Sequence, residues 1–332
     1  MPKPATIDVQ TALRGLTREW GPWTCSPIDL GDGVATVDAD QAAQRSPILV
    51  KNVVQQFRDA LRRPLAGLRL LDLASLEGNY TIELAKHGAH CLGVEARIAN
   101  LMKAKFVARQ LGLAEAQFVQ DDVRNVTREK YGMFDGILCS GILYHLDVPD
   151  VFHFLRNICA MCSGVILIDT HVSLQAEVET SYDKRSYSGW FYKEHDEHTT
   201  LQQREDLVWS SIDNCRSFWF TKPSLINCLE EFGCTSILEN LTPGQANRAP
   251  DRITLMAFPG RRVPYLCASS AGHDLYPKWG EADQKFWVHQ ALQHSWRTSY
   301  QGHHAAGVGA IPCQSTTAAS EATAEHRAGG SA

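Results

Sequence analysis

Residues 68–95, LRLLDLASLEGNYTIELAKHGAHCLGVE, constrain the fold more than any other stretch of the chain. A mostly apolar run from Leu68 to Leu73 carries one acid, Asp72. A short loop holding Gly78 follows, then a helical stretch, then a second apolar run ending in Glu95. A strand, a tight loop, a helix and a strand closed by an acid make the first half of a nucleotide-binding α/β unit. The loop lets a ligand approach backbone at a helix N-terminus, and the acid accepts hydrogen bonds from ribose hydroxyls. Glu95 follows Gly78 by 17 positions (95 − 78), near the ~20 expected for a ribose acid. A dinucleotide loop wants three glycines, and only Gly78 is present.

The pattern repeats downstream. Residues 96–113 read as a helix with a broad apolar face, 117–120 as a strand ending at Asp121-Asp122, and 134–139 as a fourth strand. A helix from about Pro149 to Met161 and a fifth strand, 165–169, follow. Strands alternating with helices predict a doubly wound, mostly parallel α/β sheet covered on both faces. Upstream, residues 5–20 read as an amphipathic helix, and WTCSPIDLGDGVAT as irregular. A further helix opens near Ser46-Pro47, with Leu49, Val53, Phe57 and Leu61 at helical spacing.

After the fifth strand the alternation stops. Residues 171–220 form a long polar and aromatic insertion of weak periodicity, and long insertions in compact domains are usually functional. A helix opened by Thr221-Lys222-Pro223-Ser224 and strands at 235–239 and 252–258 bring the sheet to seven strands. The expected organisation is an N-terminal helical and irregular lid over 1–45, a main domain over 46–260, a C-terminal extension over 261–300 and a disordered tail over 301–332.

The 332 residues have a net charge of -5 and are 44% hydrophobic, so nucleic-acid binding would need a local basic patch. No apolar run is long enough for a membrane span, and the N-terminus has no apolar leader segment. The ten cysteines sit mostly in apolar runs, as free buried thiols do. Cys159 and Cys162 form a CxxC without a second pair, so neither metal nor redox chemistry is assigned. A reducing cytoplasm is the expected compartment.

Taken together, Asp72-Leu73-Ala74-Ser75-Leu76-Glu77-Gly78, Glu95, Asp122 and the fourth-strand run FDGILCSGILYHL resemble class I S-adenosylmethionine-dependent methyltransferases. Ala74 and Leu76 stand where that family usually has glycine. The resemblance covers about residues 46–260 and implies a Rossmann-like methyltransferase fold with S-adenosylmethionine as cofactor. It further implies that Glu95 accepts the ribose hydroxyls, that Asp122 accepts the adenine amino group, and that Val123 offers a backbone N–H. Backbone around Ala74 and Gly78 would face the methionine moiety, and Gly141 at the fourth strand would also belong to the cofactor site. Asp72 would orient the loop or meet the ligand's ammonium through water. Leu76 and Glu77, bulkier than the family norm, would narrow that end. Read from the residues alone, Asp72 and Asp122 equally suit capping, and Glu95 a solvated strand end.

A narrower similarity links Gly141–His145, Arg216–Ser224 and the early run Ile28–Val34 to the enzymes that carboxymethylate the tRNA wobble uridine, whose cofactor is carboxylated.

Methyl transfer from a sulfonium is an in-line displacement, and an oxygen or protonated nitrogen acceptor needs a base. Base candidates belong at the carboxyl ends of the fourth and fifth strands: Tyr144, His145, Asp169 and His171, with His145 the first choice. His145 and His171 could instead serve as structural hydrogen-bonding residues. Glu194-His195-Asp196-Glu197-His198 could supply metal ligands beside His171. A solvated charged loop is the simpler reading, and no metal is assigned. Among the insertion's aromatics, Phe218 and Trp219 are expected to pack, and some of Tyr182, Tyr187, Trp190 and Tyr192 to meet substrate.

The expected function is methyl transfer to a heteroatom of a small-molecule acceptor. One alternative is a tRNA wobble-uridine-modifying enzyme, which a basic stripe of Arg58, Arg62, Arg63, Lys103, Lys105 and Arg109 would favour. Another is a non-catalytic binding protein on the same fold, motivated by the missing glycines.

Overall fold

The computed structural model describes residues 8–37, 48–240 and 249–260. The start of the second helix at Ser46-Pro47, the extension over 261–300 and the tail over 301–332 lie outside them. The described chain opens with α1 (Val9–Trp20), a small hairpin of β1 (Asp29–Gly31) and β2 (Val34–Ala35), and α2 (Ile48–Leu61). The hairpin stands where the sequence reads as irregular. The alternating part follows: β3 (Arg69–Leu73), α3 (Asn79–Lys86), β4 (His90–Glu95), α4 (Ile98–Gln110), β5 (Ala116–Gln120), α5 (Arg128–Tyr131), β6 (Phe134–Ser140), α6 (Asp150–Met161) and β7 (Cys162–His171). The insertion holds β8 (Val178–Tyr182), β9 (Arg185–Lys193), α7 (Leu201–Asp206) and β10 (Arg216–Phe220). The main body closes with α8 (Lys222–Glu231), β11 (Cys234–Glu239) and β12 (Arg252–Pro259).

Seven strands form one sheet in the order β11-β12-β7-β6-β3-β4-β5. β3 pairs in parallel with β4 and β6, β4 with β5, and β6 with β7; β12 runs antiparallel to both β7 and β11. The central strands are covered on both faces, which is why they read as near-continuous apolar runs. On one face Phe57 of α2, fully buried, packs with Leu70, Leu138 and Leu167. On the other, Phe152, Phe154, Leu155 and Ile158 of α6 meet Leu71, Ile137 and Ile166. Each such buried side chain contributes roughly 1.5–3 kcal/mol.

The insertion is ordered by strands rather than left as a loop. β8, β9 and β10 make an antiparallel three-stranded sheet, with Trp190 opposite Trp219 and Phe191 opposite Phe218. Phe218 packs inward against Phe152 and Phe220. Cross-strand aromatic pairs of this kind stabilise a small sheet that has little core of its own. The next helix, α8, begins where the sequence marks it: the Thr221 side chain accepts from Ser224 N, and proline occupies the first turn.

Candidate functional site

The carboxyl ends of β3, β4, β6 and β7 face a single cavity, and the loop after β3 forms its floor. Ala74 and Leu76 have φ of 54° and 48°, and Gly78 has 82°. A left-handed backbone at a residue with a Cβ costs about 1–2 kcal/mol. The surroundings hold it: Ser75 N donates to Val94 O at 3.0 Å, and Leu76 N to Glu95 Oε2 at 2.9 Å. Both residues thus hold a left-handed backbone that glycine adopts without strain. Gly78 is required for a different reason. A Cβ there would lie 2.6 Å from the Phe118 ring, and Gly78 is not part of the cavity wall.

Glu77 does not narrow the cavity. Its carboxylate turns away and is wholly buried. It accepts from Thr24 N at 2.8 Å, Cys25 N at 2.7 Å and Lys103 Nζ at 3.2 Å. Lys103 also donates to Pro22 O at 2.6 Å, and Asn79 Nδ2 to Ser26 O at 2.6 Å. These bonds strap residues 22–26 across the loop, and Thr24, Cys25 and Ser26 become wall of the cavity. Of the bulky pair, only Leu76 reaches the cavity.

Asp72 lies behind the loop, outside the cavity wall. Its carboxylate accepts from Thr81 Oγ1 at 2.7 Å and Thr81 N at 3.2 Å, fixing the start of α3. Burial pushes its pKa up to about 7, against the lowering effect of the Thr81 bonds. Glu95 is on the wall. It accepts from Leu76 N, from Arg97 N at 2.8 Å and from Asn100 Nδ2 at 3.4 Å, and burial raises its pKa despite them. A carboxylate has about four acceptor positions, so capacity for a hydroxyl remains. Asp122 and Val123 line the same side. Asp122 caps the short helix Val123–Asn125 by accepting from Arg124 N, and pairs with the Arg124 guanidinium.

Toward β6 and β7 the cavity becomes aromatic. Gly141 (φ 80°), Tyr144, His145, His171, Tyr192, Trp219 and Arg252 line it. His145 Nδ1 lies 3.0 Å from each oxygen of Glu194. Glu194 is wholly buried and also accepts from Ser217 Oγ at 2.7 Å and Ser211 N at 2.9 Å. Burial pushes its pKa up, but the His145 imidazole and these donors outweigh it and hold Glu194 below the ordinary carboxylate range. A hydrogen on Nδ1 facing this carboxylate leaves Nε2 as the acceptor nitrogen.

His171 is placed differently. Its Nδ1 is 2.8 Å from Asp251 Oδ2 and its Nε2 is 3.4 Å from Arg252 Nη1, so protein groups meet both ring nitrogens. It stacks on Trp219 at 5.1 Å and meets the edge of Tyr144 at 4.8 Å. Arg252 Nε donates to Asp169 Oδ1 at 2.6 Å, which ties Asp169 into an ion pair. The Tyr144 hydroxyl bonds to Arg252, and burial raises its pKa against that cation. The sequence reading missed Glu194 as a partner for His145, as well as Asp251 and Arg252.

Other expectations resolve by position. Tyr192 and Trp219 line the cavity, and Trp190 packs edge-on against both; away from it Tyr182 stacks on Phe152 and Tyr187 packs against Phe152 at a tilt. Within the charged motif, Glu194 faces His145 while Asp196 pairs outward with Lys193. Among the described residues no group of three or more His, Cys, Asp or Glu is arranged to hold a metal ion. Arg216 lies outside the cavity, donating to Asp147 at 2.9 Å and stacking on Phe191. The basic stripe is broken, because Lys103 is buried against Glu77 and Arg63 pairs with Asp135. Cys159 Sγ lies 3.6 Å from Cys234 Sγ as a free thiol. Among the described residues no helix is long and apolar enough to cross a membrane.

The cavity holds about 980 Å³, at the top of the ~300–1,000 Å³ range of small-molecule pockets. Residues 65–211 match the family model described as a methyltransferase domain. The ubiquinone biosynthesis O-methyltransferase of Acinetobacter baylyi is 31% identical over 108 residues, 32% of this chain and 43% of the relative. That of Azorhizobium caulinodans is 32% identical over 114 residues, 32% of this chain and 42% of the relative. The chain thus spans less than half the length of the curated relatives it matches. The N-terminal domain of EvdMO1, solved with SAH bound, aligns with a TM-score of 0.59 at 22% identity, covering 78% of this chain and 100% of that one, a likeness of fold.

Proposed function

We propose that this chain, whose residues 65–211 match a methyltransferase domain, transfers a methyl group from S-adenosylmethionine to a hydroxyl oxygen of a small-molecule acceptor. The observation that carries this reading is the His145–Glu194 pair at the aromatic end of the cavity. The residues present fit the cofactor. Glu95 offers acceptor capacity for the ribose, Asp122 and Val123 stand where the adenine edge would lie, and the left-handed turns at Ala74 and Leu76 present backbone to the amino-acid end.

The bound cofactor supplies an electrophilic methyl on a sulfonium. The chain has to align the acceptor oxygen with it, exclude water and take up one proton. His145 Nε2 would take up the proton that the acceptor hydroxyl gives up on methylation. Glu194 keeps the imidazole oriented and stabilises the imidazolium that results. His171 is already engaged at both nitrogens, so it serves to hold Tyr144 and Trp219. Tyr144 borders the acceptor. The O-methyltransferase relatives support an oxygen acceptor.

The motive for a non-catalytic reading is the missing glycines, and it weakens because Ala74 and Leu76 adopt the left-handed backbone that glycine favours. An RNA substrate would need an exposed basic face, which a buried Lys103 interrupts. The test is a panel of hydroxylated small molecules with labelled S-adenosylmethionine and the full chain. Transfer of label that His145→Ala abolishes while S-adenosylhomocysteine binding persists supports the reading. Undiminished transfer by that variant removes His145 as the base.

A further inference from the structure

The insertion also reaches the cofactor half of the cavity, through two arginines placed alike. Arg97 lies two positions after Glu95, and Arg124 two positions after Asp122. Arg97 Nη2 donates to the carbonyl oxygens of Ser210 at 2.8 Å, Leu207 at 3.0 Å and Arg204 at 3.4 Å. Arg124 pairs with Asp213. The two residues adjoining the acids assigned to ribose and adenine thus grip one segment, 204–213, at both ends. Trp209 stands within the stretch that Arg97 holds, between its bonds to Leu207 and Ser210. It is 60% exposed, yet it lines the cavity together with Ile98, Val123 and Val208.

Trp209, anchored from both sides at the cavity mouth, has no ring stacked on it among the described residues. Resting on the S-adenosylmethionine reading above, we propose that Trp209 is the insertion's contribution to the cofactor site and stacks on the adenine, with Ile98 and Val123 as apolar neighbours. The same segment continues to Ser211, whose N–H holds Glu194, and to Asn214, whose Nδ2 donates to His145 O at 3.0 Å. Cofactor binding against Trp209 therefore steadies the stretch that positions the proton acceptor.

The test is calorimetric titration of the full chain with S-adenosylhomocysteine and with 5′-methylthioadenosine, which keeps the adenine but lacks the amino-acid end. Trp209→Ala is expected to weaken both by roughly tenfold, the scale of one base–aromatic stack. Trp209→Phe keeps most of the affinity and loses the ligand-induced change in indole fluorescence. Unchanged affinity for both ligands in Trp209→Ala, or an undiminished fluorescence change in Trp209→Phe, would overturn the assignment. Binding of neither ligand by the unaltered chain would instead overturn the cofactor reading on which it rests. Trp209 is largely exposed, so thermal melts of both variants should match the parent.

Discussion

His145 Nδ1 sits 3.0 Å from both carboxylate oxygens of Glu194, although the two residues are 49 positions apart in the chain. The insertion supplies the carboxylate and the main sheet's β6 end supplies the imidazole. Glu194→Gln should keep a hydrogen-bonding group there but remove the charge that favours an imidazolium. We expect turnover to fall by roughly 10²–10⁴, with S-adenosylhomocysteine affinity unchanged. A fall in affinity instead of turnover would make Glu194 a scaffold residue.

The same acid makes a prediction about pH. Its folded-state pKa lies below its unfolded value, so its stabilising contribution is present above the ordinary carboxylate range. That contribution is lost as pH falls through the depressed value. Melting temperatures from about pH 6 down to about pH 3 should drop more steeply for the parent than for Glu194→Gln. Parallel curves would count against the charge pair.

Asp72 should behave in the opposite sense. Its folded pKa is raised to about 7, so the folded chain holds a proton that the unfolded chain releases. Stability from this group is greatest below the ordinary aspartate range and declines as pH rises toward 7. Asp72→Asn should remove the decline and gain on the order of 2 kcal/mol over the parent by pH 8. Denaturant titrations at about pH 5 and about pH 8 check it, and a constant difference between the two proteins would refute it.

Ala74→Gly restores the residue type usual in this family at a position with φ of 54°. Relief of left-handed strain should outweigh the added freedom of the unfolded chain, leaving the variant as stable or up to about 1 kcal/mol more stable. A loss of stability would show that the Ala74 methyl packs more usefully than its backbone is strained.

Much of the fold was legible because parallel strands buried on both faces leave unbroken apolar runs, as in Leu70–Leu73 and Val165–Ile168. The insertion's sheet was not. β9 mixes exposed, intermediate and buried positions without clean alternation, and aromatics occupy both of its faces. In the site, the wall positions of Glu95, Asp122, Val123, Tyr144, His145 and His171 followed from strand ends. Partnerships did not. Glu77 is held by Thr24 and Cys25, more than fifty residues earlier, and Glu194 and Asp251 reach their histidines from distant segments. No local pattern encodes such pairs, because each requires the folded sheet to bring its partners together. Gly78, expected on the ligand side, packs against Phe118, while Asp72, expected either to orient the loop or to meet the ligand, caps the start of α3 at Thr81.

The β3 loop separates a shape from the residue type that usually signals it. Torsion at Ala74 and Leu76 is imposed from outside, by Val94 and Glu95 of the neighbouring strand. A mutation in β4 would thus alter the loop without touching it. Residues other than glycine can also occupy those positions, provided the adjoining strand holds its register. Searches keyed to glycine spacing would overlook such chains, whereas a comparison of backbone torsions would gather them in.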